Sequence, residues 1–175
     1  VIRSVALGYD LGNRLLMALG ADHVRATHRS AEGTSSTFCA LGAAAPLAGL
    51  DEQGMRFAIS YAAQQVSGLW SWVKDKDHVE KAFDFSGMGA RNGVTAAIMV
   101  QLGFSGVWDV LDGEHNALLA LSADPKPEEM VAGLGSRFFG QMSNLDGIPA
   151  AAHLYNRGTA KVRGKAIDGS RWQLQ

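Results

Sequence analysis

A histidine stands at position 28, in the stretch THRSAEGTSST (27–37), ahead of a glycine and four hydroxyl residues. Imidazole gains and loses a proton near neutral pH, so histidine is well suited to proton transfer. The stretch precedes a predicted helix, whose N-terminal dipoles favour an anion. Arg29 adds a guanidinium able to hold a carboxylate through two hydrogen bonds. The pattern indicates acid–base chemistry on an anionic ligand, against the alternative of an ordinary surface histidine.

A second candidate is Lys81, in the stretch WSWVKDKDHVEKAFDF (70–85). Val79, Ala82 and Phe83 flank Lys81 in the sequence. Partial desolvation by such neighbours would strengthen the attraction of the Lys81 ammonium group for a carboxylate, or lower its pKa so that it could act as a base. The alternative is a lysine whose aliphatic stem lies on apolar surface while its charge stays in water.

Two other kinds of chemistry find less support. The stretch GMGARNG (87–93) looks like a nucleotide-binding loop, but a dinucleotide site needs a buried strand before it and a parallel strand after the helix, and the flanking segments are too short and polar. No two of the five histidines lie four residues apart, as in a helical metal site of the His-Glu-x-x-His kind. We therefore expect no metal and no cofactor.

The composition predicts one domain of an ordinary globular kind. The 175 residues are 47% hydrophobic and 19% charged, with a formal net charge of −1, which argues against a disordered or nucleic-acid-binding chain. A single cysteine fits a reducing compartment, and no apolar run or leader pattern points to a membrane, so we expect a cytoplasmic protein. Because the chain opens on Val1 and enters helix-like sequence at once, we expect that it belongs to a longer protein.

Apolar spacing predicts an all-α arrangement up to residue 138. The first helix carries a leucine every fourth residue and ends at Gly20. Small residues from 34 to 48 predict a helix that approaches its neighbours closely and that Pro46 kinks or ends. Asp51 is the predicted N-cap of a third helix, and a fourth ends at Gly103. Shorter helices are predicted at 106–112, 114–121 and 127–133. The apolar stripes of the first and fourth helices are Leu7, Leu11, Leu15, Leu19 and Ala90, Val94, Ala97, Ile98, Leu102.

The tail from 139 to 175 differs, with five cations against two acids. Small or apolar residues alternate with cations in TAKVRGKAI, which predicts an irregular or partly β segment. Aromatic residues do not interleave with these charges, so a solvated tail is preferred over a nucleic-acid contact.

Four stretches together resemble the MmgE/PrpD family, which includes 2-methylcitrate dehydratase and cis-aconitate decarboxylase: GYDLGNRLLMALG, HRSAEGTSSTFCALGAAA, GLDEQGMRFAISYAAQQVSGL and VEKAFDFSGMGARNGVTAAIMVQLGFSGVWDVLDG. The resemblance covers residues 5–138 and implies the central part of that family's helical domain, leaving 139–175 unmatched. It also implies a homodimer, a metal-independent lyase, and a small di- or tricarboxylate substrate that loses water or carbon dioxide.

Within the resemblance, the family's histidine before its alanine-rich helix falls on His28, and the lysine before its glycine-rich helix falls on Lys81. Arg29 matches no family motif. Residues 29–32 intervene where the family reaches its Gly-Thr pair sooner, so the substrate is expected to differ. Other site groups of the family have no counterpart here, which predicts that this chain alone is inactive. Epimerisation of an amino-dicarboxylate and a non-catalytic helical dimerisation module stay open as alternatives.

Overall fold

The structure is a computed structural model that describes residues 1–66, 68–74, 76 and 83–138. Residues Val1–Arg137 form one compact unit. In the described part of the chain there are helices and turns but no strand, which confirms the all-α prediction. The helices are α1 (Ile2–Leu19), α2 (Ala21–Ala26), α3 (Ala31–Leu47), α4 (Glu52–Gln64), α5 (Met88–Gln101) and α6 (Ala117–Leu121). Single turns of 3-10 helix lie at Trp70–Lys74 and Pro127–Met130, and a π-helical turn at Phe83–Gly87.

Helix α3 is the centre of the unit, packed between α1 and α5. It begins three residues earlier than predicted, because the buried Ser30 is its N-cap and accepts a hydrogen bond from Gly33 N at 2.9 Å. Pro46 lies in the last turn of α3, so the helix ends close to the position that Pro46 predicted. Phe38 and Leu41 of α3 are fully buried in the main hydrophobic core.

Glycines set the close approach of α1 to α3. A β-carbon built on Gly12 would lie 2.1 Å from Cys39 Sγ and 2.7 Å from Ser35 O, and one on Gly8 would lie 2.3 Å from Cys39 O. No heavier residue fits at either position unless the helices separate. The predicted close packing of the small-residue helix is therefore confirmed.

The same arrangement recurs between α5 and α3, where a β-carbon on Gly89 would lie 2.7 Å from Gly33 O and one on Gly93 would lie 2.1 Å from Thr37 O. Both glycines belong to the helix itself and face another helix, so the stretch 87–93 is not a phosphate loop. The nucleotide-loop alternative is therefore wrong.

The predicted apolar stripe of α5 is wrong about which face of the helix is buried: Ala97 is buried, but Val94, Ile98 and Leu102 are exposed. On α1 the stripe is confirmed at Leu15 and Leu19, which are fully buried, and at Leu11, which packs partly buried against the core, whereas Leu7 is 40% exposed. The buried faces of both helices also carry small and polar residues, since a close helix crossing excludes large side chains at the contact. They are Ser4, Gly8 and Gly12 on α1 and Gly89, Asn92, Gly93 and Ala96 on α5.

Helix α4 follows the sequence prediction at its start. Asp51 is the N-cap, and its Oδ1 accepts from Gly54 N at 2.8 Å. Its apolar side includes the fully buried Ala58 and Ala62, while Met55 and Ile59 pack partly buried against the core.

The segment 122–137 closes the end of α1. The last carbonyls of α1 are satisfied there, since Ala18 O accepts from Lys126 N at 2.7 Å and Leu19 O from Ser122 Oγ at 2.8 Å. Further along, the 1% exposed Arg14 bonds Asp10 Oδ2 at 2.7 Å. Its guanidinium also donates to Ala132 O and Arg137 O, both at 2.8 Å.

Several smaller predictions changed. The predicted helix at 106–112 is wrong: Asp109 O accepts from the amides of Asp112 and Gly113 in a turn. Of 114–121 only Ala117–Leu121 is helical, and 127–133 contains the short turn Pro127–Met130. The tail 139–175 lies outside the described residues, so its partly β character stays a prediction. Within the described ranges, no helix is long and apolar enough to cross a bilayer.

Candidate functional site

His28 lies in the short connection between α2 and α3, two residues before the α3 N-cap, and its side chain is exposed. Its φ is 63°, and it is the one non-glycine residue with positive φ in the part of the chain that the structure describes. Left-handed backbone costs an ordinary L-residue about 1–2 kcal/mol, and such conformations cluster at functional sites. The turn presents the imidazole to solvent at the entry of the central helix.

Backbone hydrogen bonds hold this conformation from both sides. His28 N donates to Arg25 O at 2.9 Å, and His28 O accepts from Trp70 N at 2.9 Å. Ser30 N donates to Gly68 O at 3.0 Å, and Arg29 forms an antiparallel bridge with Leu69. Residues 28–30 and 68–70 therefore pair as a short ladder, which places the segment after α4 directly against the histidine turn.

An aromatic cluster of Trp70, Trp72 and Phe85 adjoins this ladder. The Trp72 indole donates from Nε1 to Ser30 Oγ at 3.1 Å, and its ring lies 5.3 Å from that of Trp70 and 4.9 Å from that of Phe85. Arg25 stacks over the Trp70 ring at 5.2 Å and donates to Glu32 Oε1 at 2.9 Å. This cluster connects the start of α3 to the turn at 70–74 and to the turn before α5.

Arg29 is already engaged by the protein. Its Nε donates to Thr27 Oγ1 at 3.1 Å, and its Nη2 donates to the carbonyl of Leu121 at the end of α6. In this structure the guanidinium therefore cross-links the histidine turn to α6. A role in holding a substrate carboxylate stays a prediction for Arg29.

An open hollow of about 530 Å³ borders the aromatic cluster. Lys74 and Asp84 place opposite charges at its walls, and Trp72 gives it an aromatic surface. His28 does not line it. Its described walls are Gly68, Leu69, Ser71, Trp72, Lys74, Asp84 and Met88.

Lys81 lies outside the described residues, so its place beside His28 in one site stays a prediction. The residues that sequence reasoning missed are Gly68, Trp72 and Ser30, which form the support of the histidine turn. The motif Trp-Ser-Trp at 70–72 was the available signal, since paired tryptophans with polar tips rarely lie free of partners.

The chain's one cysteine belongs to the helix crossing and not to this turn. Desolvation by burial raises the pKa of the Cys39 thiol to about 11, so it stays protonated and unreactive at neutral pH. Among the described residues, no group of three His, Cys, Asp or Glu side chains is arranged to hold a metal ion.

The architecture is that of an all-α domain built around a small-residue central helix, with a histidine turn at its entry. The family model for the MmgE/PrpD N-terminal domain matches residues 1–130, and the chain belongs to the MmgE/PrpD family. The resemblance noted in the sequence is thereby confirmed. No curated protein gave a significant match to the chain.

Proposed function

We propose that the chain contributes His28 and Lys81 to the active site of a lyase of the 2-methylcitrate dehydratase type. The observation that carries the proposal is the family match over residues 1–130, which include a histidine held in a left-handed turn at the mouth of the central helix. A family of dehydratases and related lyases is the context in which an exposed, conformationally fixed imidazole has a chemical use.

In the proposed reaction, neutral His28 removes the proton from a carbon next to a carboxylate of a small tricarboxylate. The electron pair left on that carbon forms the double bond as the hydroxyl on the neighbouring carbon departs, and a proton from solvent converts that hydroxyl to water. The Lys81 ammonium holds a substrate carboxylate and offsets the negative charge that develops. Loss of carbon dioxide in place of water would reverse the role of the imidazole: the bond from carbon to the departing carboxylate breaks, its electron pair stays on the remaining carbon skeleton, and protonated His28 delivers a proton there.

Nothing in this scheme calls for a cofactor, because imidazole supplies the proton transfer and ammonium the charge stabilisation. We expect the complete protein to act as a cytoplasmic homodimer on a free di- or tricarboxylate, without a nucleic-acid or membrane partner.

Ligand binding to the 175-residue chain tests the proposal without requiring turnover. A tricarboxylate that binds the native state stabilises it by about 2.7 kcal/mol at a concentration of 100 Kd, which raises Tm by about 5–10 °C in a chain of this size. We expect this with 2-methylcitrate, citrate or cis-aconitate, and not with acetate at matched ionic strength.

Matched variants locate the binding. His28→Ala and Lys81→Ala should each abolish most of the stabilisation, whereas His115→Ala and Lys76→Ala, at exposed positions, should keep it. Indifference of the wild-type chain to every tricarboxylate would count against the proposal, as would equal loss in the control variants.

A further inference from the structure

Gly68 and Trp72 support His28 from a segment that is forty residues further along the chain. The ladder between 28–30 and 68–70 supplies a backbone hydrogen bond to the His28 carbonyl from Trp70 N and another to Gly68 O from Ser30 N. The left-handed turn is thus held between α2 on one side and this segment on the other.

The Ser30 hydroxyl joins the two parts through its side chain. Ser30 is fully buried, its Oγ accepts from both Gly33 N and Trp72 Nε1, and the first of these bonds caps α3. The orientation of the Trp72 indole is therefore tied to the residue that starts the central helix, two positions after His28.

Gly68 permits the ladder to close. Its φ is 114°, a conformation that residues with a side chain rarely adopt, and a β-carbon there would lie 3.1 Å from Ser30 Cβ. A larger residue would push the segment away from Ser30 and lengthen the hydrogen bonds that fix the turn.

We propose that Gly68 and Trp72 are positioning residues for His28: they hold the 68–72 segment against residues 28–30 and so fix the left-handed turn that presents the imidazole. This inference rests on the proposed function only for its consequence in ligand binding. The conformational part stands on the ladder and on the Ser30–Trp72 hydrogen bond.

The test uses the full 175-residue chain and the substitution Trp72→Phe, which keeps an aromatic ring in the cluster and removes the indole N–H. Trp108→Phe is the matched control, since the Trp108 ring packs against Arg56 and Phe57 of α4. NMR provides the backbone coupling constants and imidazole signals of His28, and hydrogen exchange provides the protection of the Ser30 and Trp70 amides.

In Trp72→Phe we expect hydrogen exchange of the Ser30 and Trp70 amides to accelerate by about 3- to 10-fold, because the buried hydrogen bond from Trp72 to Ser30 is lost. The His28 coupling constants and imidazole signals should change with it. Trp108→Phe should leave all of these at wild-type values. Gly68→Ala should produce the same changes more strongly, and if it fails to fold, Trp72→Phe still decides.

Unchanged His28 signals and unchanged amide protection in Trp72→Phe would overturn the positioning role. Displaced His28 signals combined with wild-type binding of cis-aconitate would refute the consequence for the ligand, because binding would then not depend on the turn. If the wild-type chain binds no tricarboxylate but the His28 signals move as described, the proposed function fails while the conformational role of the two residues stands.

Discussion

Replacing His28 by glycine separates the effect of this residue on stability from its effect on ligand binding. The side chain is exposed, so its removal forfeits little packing, and the residue has a φ of 63°. Glycine relieves about 1–2 kcal/mol of left-handed strain, and its greater freedom in the unfolded chain opposes this by about 0.5–1 kcal/mol. The net expectation is a gain of about 0.5–1 kcal/mol in the free energy of unfolding, or about 1–4 °C in Tm.

The assay is denaturant unfolding of wild type, His28→Gly and His28→Ala, each with and without cis-aconitate. We expect the glycine variant to be the most stable of the three without ligand, and neither variant to be stabilised by the ligand. Stability and binding would then move in opposite directions at a single position.

Gly49 provides the matched control for the strain term. Its φ is 73°, and nothing lies within 4 Å of a β-carbon built there, so Gly49→Ala measures the conformational cost alone, which we expect to be about 1 kcal/mol. If Gly49→Ala behaves so and His28→Gly still destabilises the chain by 1 kcal/mol or more, the imidazole stabilises the fold. The argument that it is free to serve a ligand would then be refuted.

Three further outcomes follow from the packing. Gly93→Ala places a β-carbon against backbone atoms of α3 and should cost at least about 2 kcal/mol in unfolding free energy, measured by chemical denaturation. Arg14→Met leaves the Asp10 carboxylate without its guanidinium partner and should cost about 3–5 kcal/mol, with early protease cleavage in 126–137. The native Cys39 thiol, with its pKa raised to about 11, should react with iodoacetamide at pH 8 roughly 100-fold more slowly than in the unfolded chain.

The first two outcomes can each be contradicted by a specific result. Val94→Ala changes the exposed face of α5 and should stay within about 0.5 kcal/mol of wild type; a cost equal to that of Gly93→Ala would contradict the helix-crossing argument. For Arg14, unchanged protease resistance in 126–137 would show that other contacts hold that segment.

The pKa of Cys39 also carries a pH dependence with a definite sign. Between pH 9 and 11 the folded thiol stays protonated while the unfolded one ionises, so its contribution is complete below pH 9 and is lost as the pH rises toward 11. The loss amounts to roughly 2–3 kcal/mol and should be missing in Cys39→Ser. Parallel pH curves for the two proteins would contradict the burial of the thiol.

Local sequence signals were enough to predict several features of the main helices. Asp51 predicted the start of α4, Gly20 the end of α1, and the small residues after Thr34 the close packing of α3. These features depend on caps and composition, which the sequence contains within a few residues.

The buried face of α5, and the part of α1 that crosses α3 at Gly8 and Gly12, were not predictable in the same way. An apolar stripe is taken to face the core, yet at a close crossing the distance between helix axes excludes large side chains, and Gly12 and Gly93 occupy the contact. The distance is a property of the helix pair and does not appear in the periodicity of either helix.

The candidate site also combines a feature that the local sequence predicts with features that depend on contacts between distant segments. His28 was recognisable from its residue type and position before a helix. Its left-handed backbone and its support by Gly68 and Trp72 depend on a pairing between segments forty residues apart. The Trp-Ser-Trp motif at 70–72 indicates that these rings have partners, but it does not identify the segment that provides them.

The central claim is that one polycarboxylate contacts both His28 and Lys81. An NMR titration of the full chain with cis-aconitate, following the imidazole signals of His28 and the side-chain signals of Lys81, tests it most directly. The account predicts saturable shifts at both residues that fit a single Kd, with the signals of His115 unmoved. Shifts at only one of the two residues, different constants for the two, or equal movement of His115 would contradict it.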